Sequence, residues 1–125
     1  GGMGVRWTDV QAERVGEAMR EFPVASGRCV ELAKVLLPIA KEREAAAELR
    51  KLTAKGWYMP TRTGPSDWVF HVTTQAEAHW IDALTGVSGH PMATYKESLF
   101  LYPDTIHDRK VDLEDPWLSL VQKGS

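Results

Sequence analysis

Apolar residues recur every three to four positions over the first forty residues of the chain, which is the spacing of helices that bury one face. Thr8 and Gln11 form a capping-box pattern that predicts the start of a first helix, and Pro23 predicts its end. A second helix is predicted to begin near Cys29, and Pro38 should kink or interrupt it. The N-terminal part of the chain is therefore expected to be helical.

The composition after the second helix favours first a helix and then short strands. Residues 42–55 are rich in Ala, Glu, Arg, Lys and Leu, which predicts a further helix that Gly56 would end. Residues 57–61 and 98–102 are predicted to be short strands, and residues 103–125 a polar tail. An apolar patch in this tail should dock as a last turn of helix. The patch comprises Trp117, Leu118, Leu120 and Val121.

Two segments rich in β-branched and aromatic residues, 68–74 and 79–86, are predicted to form a β-hairpin. If its turn centres on residues 76 and 77, His71 lies directly opposite Asp82, and cross-strand partners share a face of the sheet with Cβ atoms about 5 Å apart. An imidazole and a carboxylate would then meet. The predicted fold class is α+β, with N-terminal helices packed on a small antiparallel β-sheet.

The register of this hairpin decides which side chains meet. A shift by one residue would place His71 opposite Ile81 and move Asp82 toward the other face, and His79 would then be the alternative base. A buried His–Asp pair can also serve only to hold a sheet together, because desolvated polar groups need partners. The residues alone leave both interpretations of the pair open.

Composition and charge narrow the classes of function. The chain has 125 residues and a formal net charge of −2, which fits one domain and gives no basic surface for nucleic acid. Its longest apolar runs are too short to span a bilayer, so no membrane partner is expected. Residues 1–4 look like a remnant of cloning, and residues 5–125 are expected to form the single domain.

Cys29 is the only cysteine, which excludes an internal disulfide and a cysteine-based zinc site. Its predicted place at a helix start matters because the unpaired N–H groups of the first turn and the helix macrodipole favour an anion and lower the pKa of a thiol. Arg28 adds positive charge beside it. The competing interpretation is a buried cysteine that only fills space in a helix.

Cys29, His71 and Asp82 together would provide a nucleophile, a general base and an orienting carboxylate if the helix packs on the hairpin. The four histidines show neither helical His-x-x-x-His spacing nor a cysteine partner at ligand spacing, so no metal site is expected. No other cofactor is expected. Trp80, beside the predicted triad, and Arg28 are the candidates for contact with substrate.

Two segments carry a resemblance to a known family. One is Ser-Gly-Arg-Cys-Val-Glu-Leu-Ala at residues 26–33, and the other runs from Phe-His-Val to Trp-Ile-Asp-Ala-Leu-Thr-Gly within residues 70–86. A cysteine at a helix start, then a histidine and an aspartate on successive strands, resembles the papain-like and transglutaminase-like cysteine hydrolases, most of all the papain-fold toxin domains of bacterial polymorphic toxins and effectors. The similarity covers about residues 27–101. One departure is the stretch 21–26, which lacks the glutamine that papain-like enzymes usually place there as an oxyanion donor.

The resemblance implies that Cys29 is the nucleophile, His71 the general base and Asp82 the residue that orients it, in a protease, a glutamine deamidase or a transglutaminase. It also implies delivery from a bacterium into a target cell, a protein substrate in a reducing cytosol, and an immunity protein as partner. Two other interpretations stay open. One is an inert protein-interaction domain of the same fold, and the other is a NlpC/P60-like cell-wall amidase.

Overall fold

The computed structural model describes residues 4–116 and residue 118, where the helices come first and most of the sheet follows. The α-helices in this part of the chain are α1 (Asp9–Glu21), α2 (Cys29–Arg43) and α3 (Tyr95–Leu99). The strands are β1 (Glu48–Ala54), β2 (His71–Ala76), β3 (His79–Ile81), β4 (His90–Pro91) and β5 (Ile106–Val111). Two short 3-10 turns lie at Val24–Ser26 and Pro103–Thr105.

The strands form one open sheet in the order β4-β3-β2-β1-β5, and every neighbouring pair is antiparallel. Helix α2 packs on β2 and α1 packs on α2, so the larger core lies between these helices and one face of the sheet. A second core contains Leu52, Trp80, Tyr95 and Phe100 and lies on the opposite face. The prediction of an α+β protein with an antiparallel sheet is confirmed.

Both predicted helix starts are confirmed. The hydroxyl of Thr8 accepts a hydrogen bond from the backbone N–H of Gln11 at 3.1 Å, and the Gln11 side chain accepts from the N–H of Thr8 at 3.0 Å. This reciprocal pair satisfies two of the otherwise unpaired donors at the start of α1. Helix α1 ends at Glu21, two residues before Pro23, and α2 begins at Cys29.

Helix α2 continues through Pro38, so the predicted interruption is wrong. A proline in a helix interior leaves the carbonyl four residues earlier without its partner, which is costly when that carbonyl is buried. Here Pro38 and Lys34 both lie on the exposed side of α2, where water can hydrate the carbonyl. The neighbouring residues Leu37 and Ile39 are buried and hold both halves of the helix to the core.

The predicted helix over residues 42–55 is also wrong, because this stretch contains β1 at the centre of the sheet. Leu49 belongs to the core under α2, whereas Leu52 belongs to the core on the opposite face. A strand that buries side chains on both faces lacks the simple alternation that identifies a half-exposed strand. Pairing with two neighbouring strands therefore overrides the helix-favouring composition.

The remaining strand predictions fail in the second half of the chain. Residues 57–61 form no strand beyond a single bridge between Thr61 and Phe100, and most of 98–102 belongs to α3 or the turn after it. The predicted polar tail instead contains β5, an edge strand in which only Ile106 and Val111 are fully buried. Such a strand is charged on its exposed positions, which is why its composition indicates a tail.

Two predicted segments extend beyond the described residues. The cloning remnant lies outside them except for Gly4. Of the apolar patch in the tail, Leu118 is buried, and Trp117, Leu120 and Val121 lie outside. No helix in the described part of the chain is long and apolar enough to cross a membrane.

The β2–β3 hairpin forms, but its register differs by two residues from the predicted one. Thr74 pairs with Ile81 and Ala76 with His79, so the turn consists of Glu77 and Ala78. Both turn residues have positive φ, 50° and 60°, as a type I′ turn requires. Glycine or asparagine usually occupies such positions, and neither is present here, so the residues of the turn do not indicate where it lies.

Tertiary contacts hold this turn in place. The backbone N–H of Glu77 donates to the carboxylate of Glu44 at 3.0 Å, and the Glu77 carboxylate forms ion pairs with Arg6 and Arg43. These partners come from segments far from the hairpin in sequence. They explain how two residues with a Cβ adopt the left-handed conformation.

Candidate active site

A cleft of about 360 Å³ opens at the N-terminus of α2. Cys29 and His71 both line it. Most of the other lining side chains are apolar and include Phe22, Val24, Trp68 and Phe70. Cys29 is partly exposed, and it lines the cleft while also packing against the larger core.

A tight reversal of the chain places Cys29 at this position. The 3-10 turn at Val24–Ser26 ends at Gly27, whose φ of 66° lies in the left-handed region that favours glycine. The Ser26 hydroxyl accepts from the backbone N–H of Arg28 at 3.2 Å. No side chain caps the start of α2, in contrast to α1, so the first N–H groups of α2 remain to interact with an anion.

His71 and Asp82 form a buried pair. Nε2 of His71 lies 3.1 Å from Oδ2 of Asp82, and each side chain is only 2% exposed. The predicted meeting of these two residues therefore occurs, although they are not direct cross-strand partners. Asp82 is the first residue after β3, and the observed register places Thr73 opposite it by extension of the β2–β3 ladder.

The loop after β3 fixes the other oxygen of this carboxylate. Oδ1 of Asp82 accepts from the backbone N–H groups of Leu84 at 2.9 Å and Thr85 at 3.2 Å. The Thr85 hydroxyl in turn accepts from the backbone N–H of Asp82 at 3.1 Å. The predicted strand over residues 79–86 is thus shorter than expected, because Asp82 begins a turn.

Tyr95 is a member of this group that the sequence did not indicate. Its side chain is fully buried, and its hydroxyl donates to Oδ2 of Asp82 at 2.6 Å. Tyr95 is the first residue of α3, a helix that lies within no predicted element. We find no local signal in the sequence that links this tyrosine to Asp82.

The electrostatics of the three predicted residues are coupled. Burial opposes the Cys29 thiolate, but hydrogen bonding and charge interaction with His71 outweigh it and lower the thiol pKa. For His71, burial alone would lower the pKa because it disfavours the charged imidazolium, yet the Asp82 carboxylate raises this pKa to about 9. Burial would raise the Asp82 pKa, and the His71 imidazolium holds it below its usual value. All three directions favour a thiolate, an imidazolium and a carboxylate near neutral pH.

The second ring nitrogen of His71 is the one left for the thiol. Nδ1 is buried, and none of the described residues makes a well-aligned hydrogen bond to it. The imidazole is nevertheless close enough to Cys29 to lower the pKa of its thiol. Catalytic hydrogen bonds are often poorly aligned without substrate, so this geometry suits a nucleophile and base that align on binding.

Trp68 covers the imidazole from the cleft side. Its indole stacks on the His71 ring with centroids 4.5 Å apart and planes within 12°. An aromatic face stabilises a neighbouring cation and keeps water away from it. The sequence placed Trp68 within a predicted strand, but β2 begins only at His71, so Trp68 lies in the segment that enters the strand.

The two residues expected to contact substrate differ in their positions. Arg28 lines the cleft, with its guanidinium 4.9 Å from the centre of the Phe22 ring and 4.0 Å from the Glu31 carboxylate. The structure does not bring Trp80 to this cleft. Trp80 is 4% exposed, its indole N–H donates to Gln75 at 2.9 Å, and its ring packs edge-on against a buried tyrosine of α3.

Among residues 4–116 and 118, no group of three or more His, Cys, Asp or Glu side chains could hold a metal ion. His79, the alternative base, does not line the cleft, and its Nδ1 lies 2.7 Å from the carbonyl oxygen of Glu77.

No protein-family model, curated protein or solved structure matches this chain. These comparisons therefore add no functional assignment to what the site itself supports.

Proposed function

We propose that the protein is a cysteine hydrolase or acyltransferase of papain-like type, in which Cys29 is the nucleophile, His71 the general base and Asp82 the orienting carboxylate. The single observation that carries the proposal is the convergence of these three groups, in which Cys29 and His71 line one cleft and the buried Asp82 contacts His71. The His71–Asp82 contact is 3.1 Å, and the adjacent imidazole lowers the pKa of Cys29. A nucleophile, a base and a group that orients the base are the parts that acyl transfer requires.

The proposed reaction begins with the Cys29 thiolate and the His71 imidazolium. The sulfur attacks an amide carbonyl carbon, and the carbonyl electrons move onto oxygen to form a tetrahedral intermediate. His71 then donates its proton to the leaving nitrogen as the C–N bond breaks, which leaves a thioester on Cys29. Water or an amine attacks the carbonyl carbon of this thioester and gives a proton to His71. The C–S bond then breaks, which releases the acid or the new amide and restores the thiolate–imidazolium pair.

Charge on the carbonyl oxygen would be met at the start of α2. The uncapped backbone N–H groups there, with that of Cys29 nearest, are suited to an oxyanion. Among the residues that the structure describes, no glutamine lines the cleft, and the second oxyanion donor stays unassigned. Hydrolysis of a peptide, deamidation of a glutamine and transfer to an amine share these steps and differ in the leaving group and acyl acceptor.

The biological part of the proposal follows from the resemblance of the segments around Cys29, His71 and Asp82 to papain-fold toxin domains. We propose a protein substrate in the reducing cytosol of a target cell and an immunity protein as partner. The partly exposed position of Cys29 at an open cleft supports an enzyme over an inert interaction domain. A cell-wall amidase would be indicated instead by release of soluble peptides from purified peptidoglycan.

Expression in bacteria without a protecting partner tests the proposal. Wild type should arrest growth, and Cys29→Ala should not. His107→Ala, which changes an exposed histidine outside the cleft, should arrest growth as wild type does.

Iodoacetamide labelling of the purified protein tests the reactivity of the Cys29 thiol directly. Cys29 should react with an apparent pKa well below about 8.5, the value of a free thiol. Labelling that needs denaturant would refute a catalytic role.

A further inference from the structure

We infer that Tyr95 is a positioning residue of the proposed active site, whose hydroxyl holds Oδ2 of Asp82 against Nε2 of His71. This inference rests on the proposed function. Two contacts to one oxygen carry it: Tyr95 donates to Oδ2 at 2.6 Å, and His71 lies 3.1 Å from the same atom. The tyrosine would thus act on the nucleophile through Asp82 and His71, without touching substrate.

The hydrogen bonds of Asp82 explain why one hydroxyl can matter. Oδ1 is anchored by the backbone N–H groups of Leu84 and Thr85, which belong to the same turn. Oδ2 has no backbone donor among the described residues, and the side chains of His71 and Tyr95 lie against it. The Thr73 side chain also hydrogen-bonds the Asp82 carboxylate and Tyr95. Tyr95 gives the short contact, at 2.6 Å, that holds the oxygen facing the imidazole.

Packing alone does not account for a tyrosine at this position. The ring of Tyr95 lies 4.8 Å from Trp80 and 6.0 Å from Phe100, contacts that a phenylalanine would make equally well. Burying a hydroxyl is unfavourable unless it is hydrogen-bonded. The hydroxyl here has a charged acceptor, so the feature that distinguishes tyrosine from phenylalanine is directed at Asp82.

The tyrosine is itself held firmly and stays a donor. The next residue on α3, Lys96, donates to Asp108 of β5 at 2.5 Å, which fixes the helix start against the edge of the sheet. Burial and the neighbouring Asp82 carboxylate raise the pKa of Tyr95 well above its ordinary value. The hydroxyl therefore keeps its proton throughout the pH range in which a thiolate would act.

Tyr95→Phe tests the inference in the full-length protein, with the rate of iodoacetamide alkylation of Cys29 measured across pH. With Oδ2 released, the carboxylate can turn away from Nε2, and the imidazolium that pairs with the thiolate is less stabilised. The apparent thiol pKa should rise, and alkylation near pH 7 should slow about tenfold, which corresponds to about 1.4 kcal/mol. Absorbance of the thiolate near 240 nm should report the same shift.

Ile106→Val provides the matched control, because Ile106 lies in the same core as Tyr95 and its side chain has no group that could hydrogen-bond Asp82. The control should lower stability and leave the alkylation profile unchanged. If Tyr95→Phe also lowers stability without moving the profile, the tyrosine is only structural and the inference is wrong. A profile that moves toward acid would equally overturn it. An ordinary thiol pKa in wild type would refute the proposed function instead.

Discussion

Replacing Asp82 with asparagine should lower the free energy of unfolding and should also change how that free energy depends on pH. Asparagine keeps the size of the side chain but removes its charge and places an NH₂ group where an oxygen stood. Backbone N–H groups donate to Oδ1, so the asparagine oxygen should take that position and the NH₂ group should face His71 and Tyr95. The Tyr95 hydroxyl then loses its charged acceptor at every pH, whereas the lost charge affects His71 only while its ring is protonated.

The magnitude of the second effect follows from His71. Asp82 raises the pKa of this buried histidine from 6.5 to about 9, and a difference of that size corresponds to about 3 kcal/mol. Because the folded-state pKa is the higher one, this stabilisation is complete below pH 6.5 and is lost as the pH rises through about 9. In Asp82→Asn, burial without the carboxylate lowers the His71 pKa, so protonation no longer stabilises the fold.

Cys29 changes the free energy of unfolding with pH in the opposite direction from His71, so its thiol has to be removed from both proteins. Its thiol pKa is lowered in the folded protein, so the thiolate adds stability as the pH rises and partly cancels the contribution of His71. Both proteins should therefore carry Cys29→Ser. Since Cys29 also helps to raise the His71 pKa, about 3 kcal/mol is an upper value in this background.

Urea unfolding at about pH 6 and about pH 10 provides the measurement. The difference in free energy of unfolding between Cys29→Ser and Cys29→Ser with Asp82→Asn should be larger at about pH 6 by up to about 3 kcal/mol. Titrating groups that do not contact Asp82 are common to both proteins and drop out of the difference, whereas buried Tyr95, whose pKa Asp82 helps to raise, stays protonated at about pH 6 in both. An equal difference at the two pH values would show that Asp82 does not hold a proton on His71, and the proposed role of the pair would fail.

Two further substitutions test the surroundings of the site. Trp68→Leu removes the indole stacked on His71 and should slow alkylation of Cys29 near pH 7 by about threefold, from the loss of about 0.5–1 kcal/mol of cation–π interaction; an unchanged rate would contradict that role. Ala78→Gly relieves a residue held at a φ of 60° and should raise the free energy of urea unfolding by about 0.5–1 kcal/mol, without affecting Cys29. A loss of stability there would show that the turn is not strained.

The place of Cys29 at a helix start was predictable because the signal is local. Cys29 follows a Ser-Gly-Arg break and precedes a helical run, and the structure begins α2 at that residue. The helix predicted over residues 42–55 failed for the opposite reason. Whether Leu49 and Leu52 occupy two faces of a strand or one face of a helix depends on pairing with β2 and β5, which are remote in sequence.

Tyr95 and Trp68 reach the site through contacts that a single sequence does not reveal. Tyr95 comes from α3, whose start is held by the contact of Lys96 with Asp108 on a distant strand. Trp68 lies beside His71 because the chain enters β2 at that point. The sequence indicates His71 and Asp82 but not the residues that contact them. Tyr95 and Trp68 are therefore the least predictable members of the site.

The pairing of His71 with Asp82 was predicted from a register that proved wrong by two residues. Side chains alternate between the two faces of a strand, so a shift by two residues keeps both groups on the same face, whereas a shift by one would separate them. The position of the carboxylate depends even less on the register, since the backbone N–H groups of Leu84 and Thr85 fix Oδ1 within one turn. That turn has a local sequence signal, an aspartate followed by a threonine three residues later and by Gly86, which has a φ of 78°. Such a turn signal predicts that β3 ends at Ile81 and that Asp82 begins the turn, whereas the approach of Asp82 to His71 still depends on the pairing of β2 with β3.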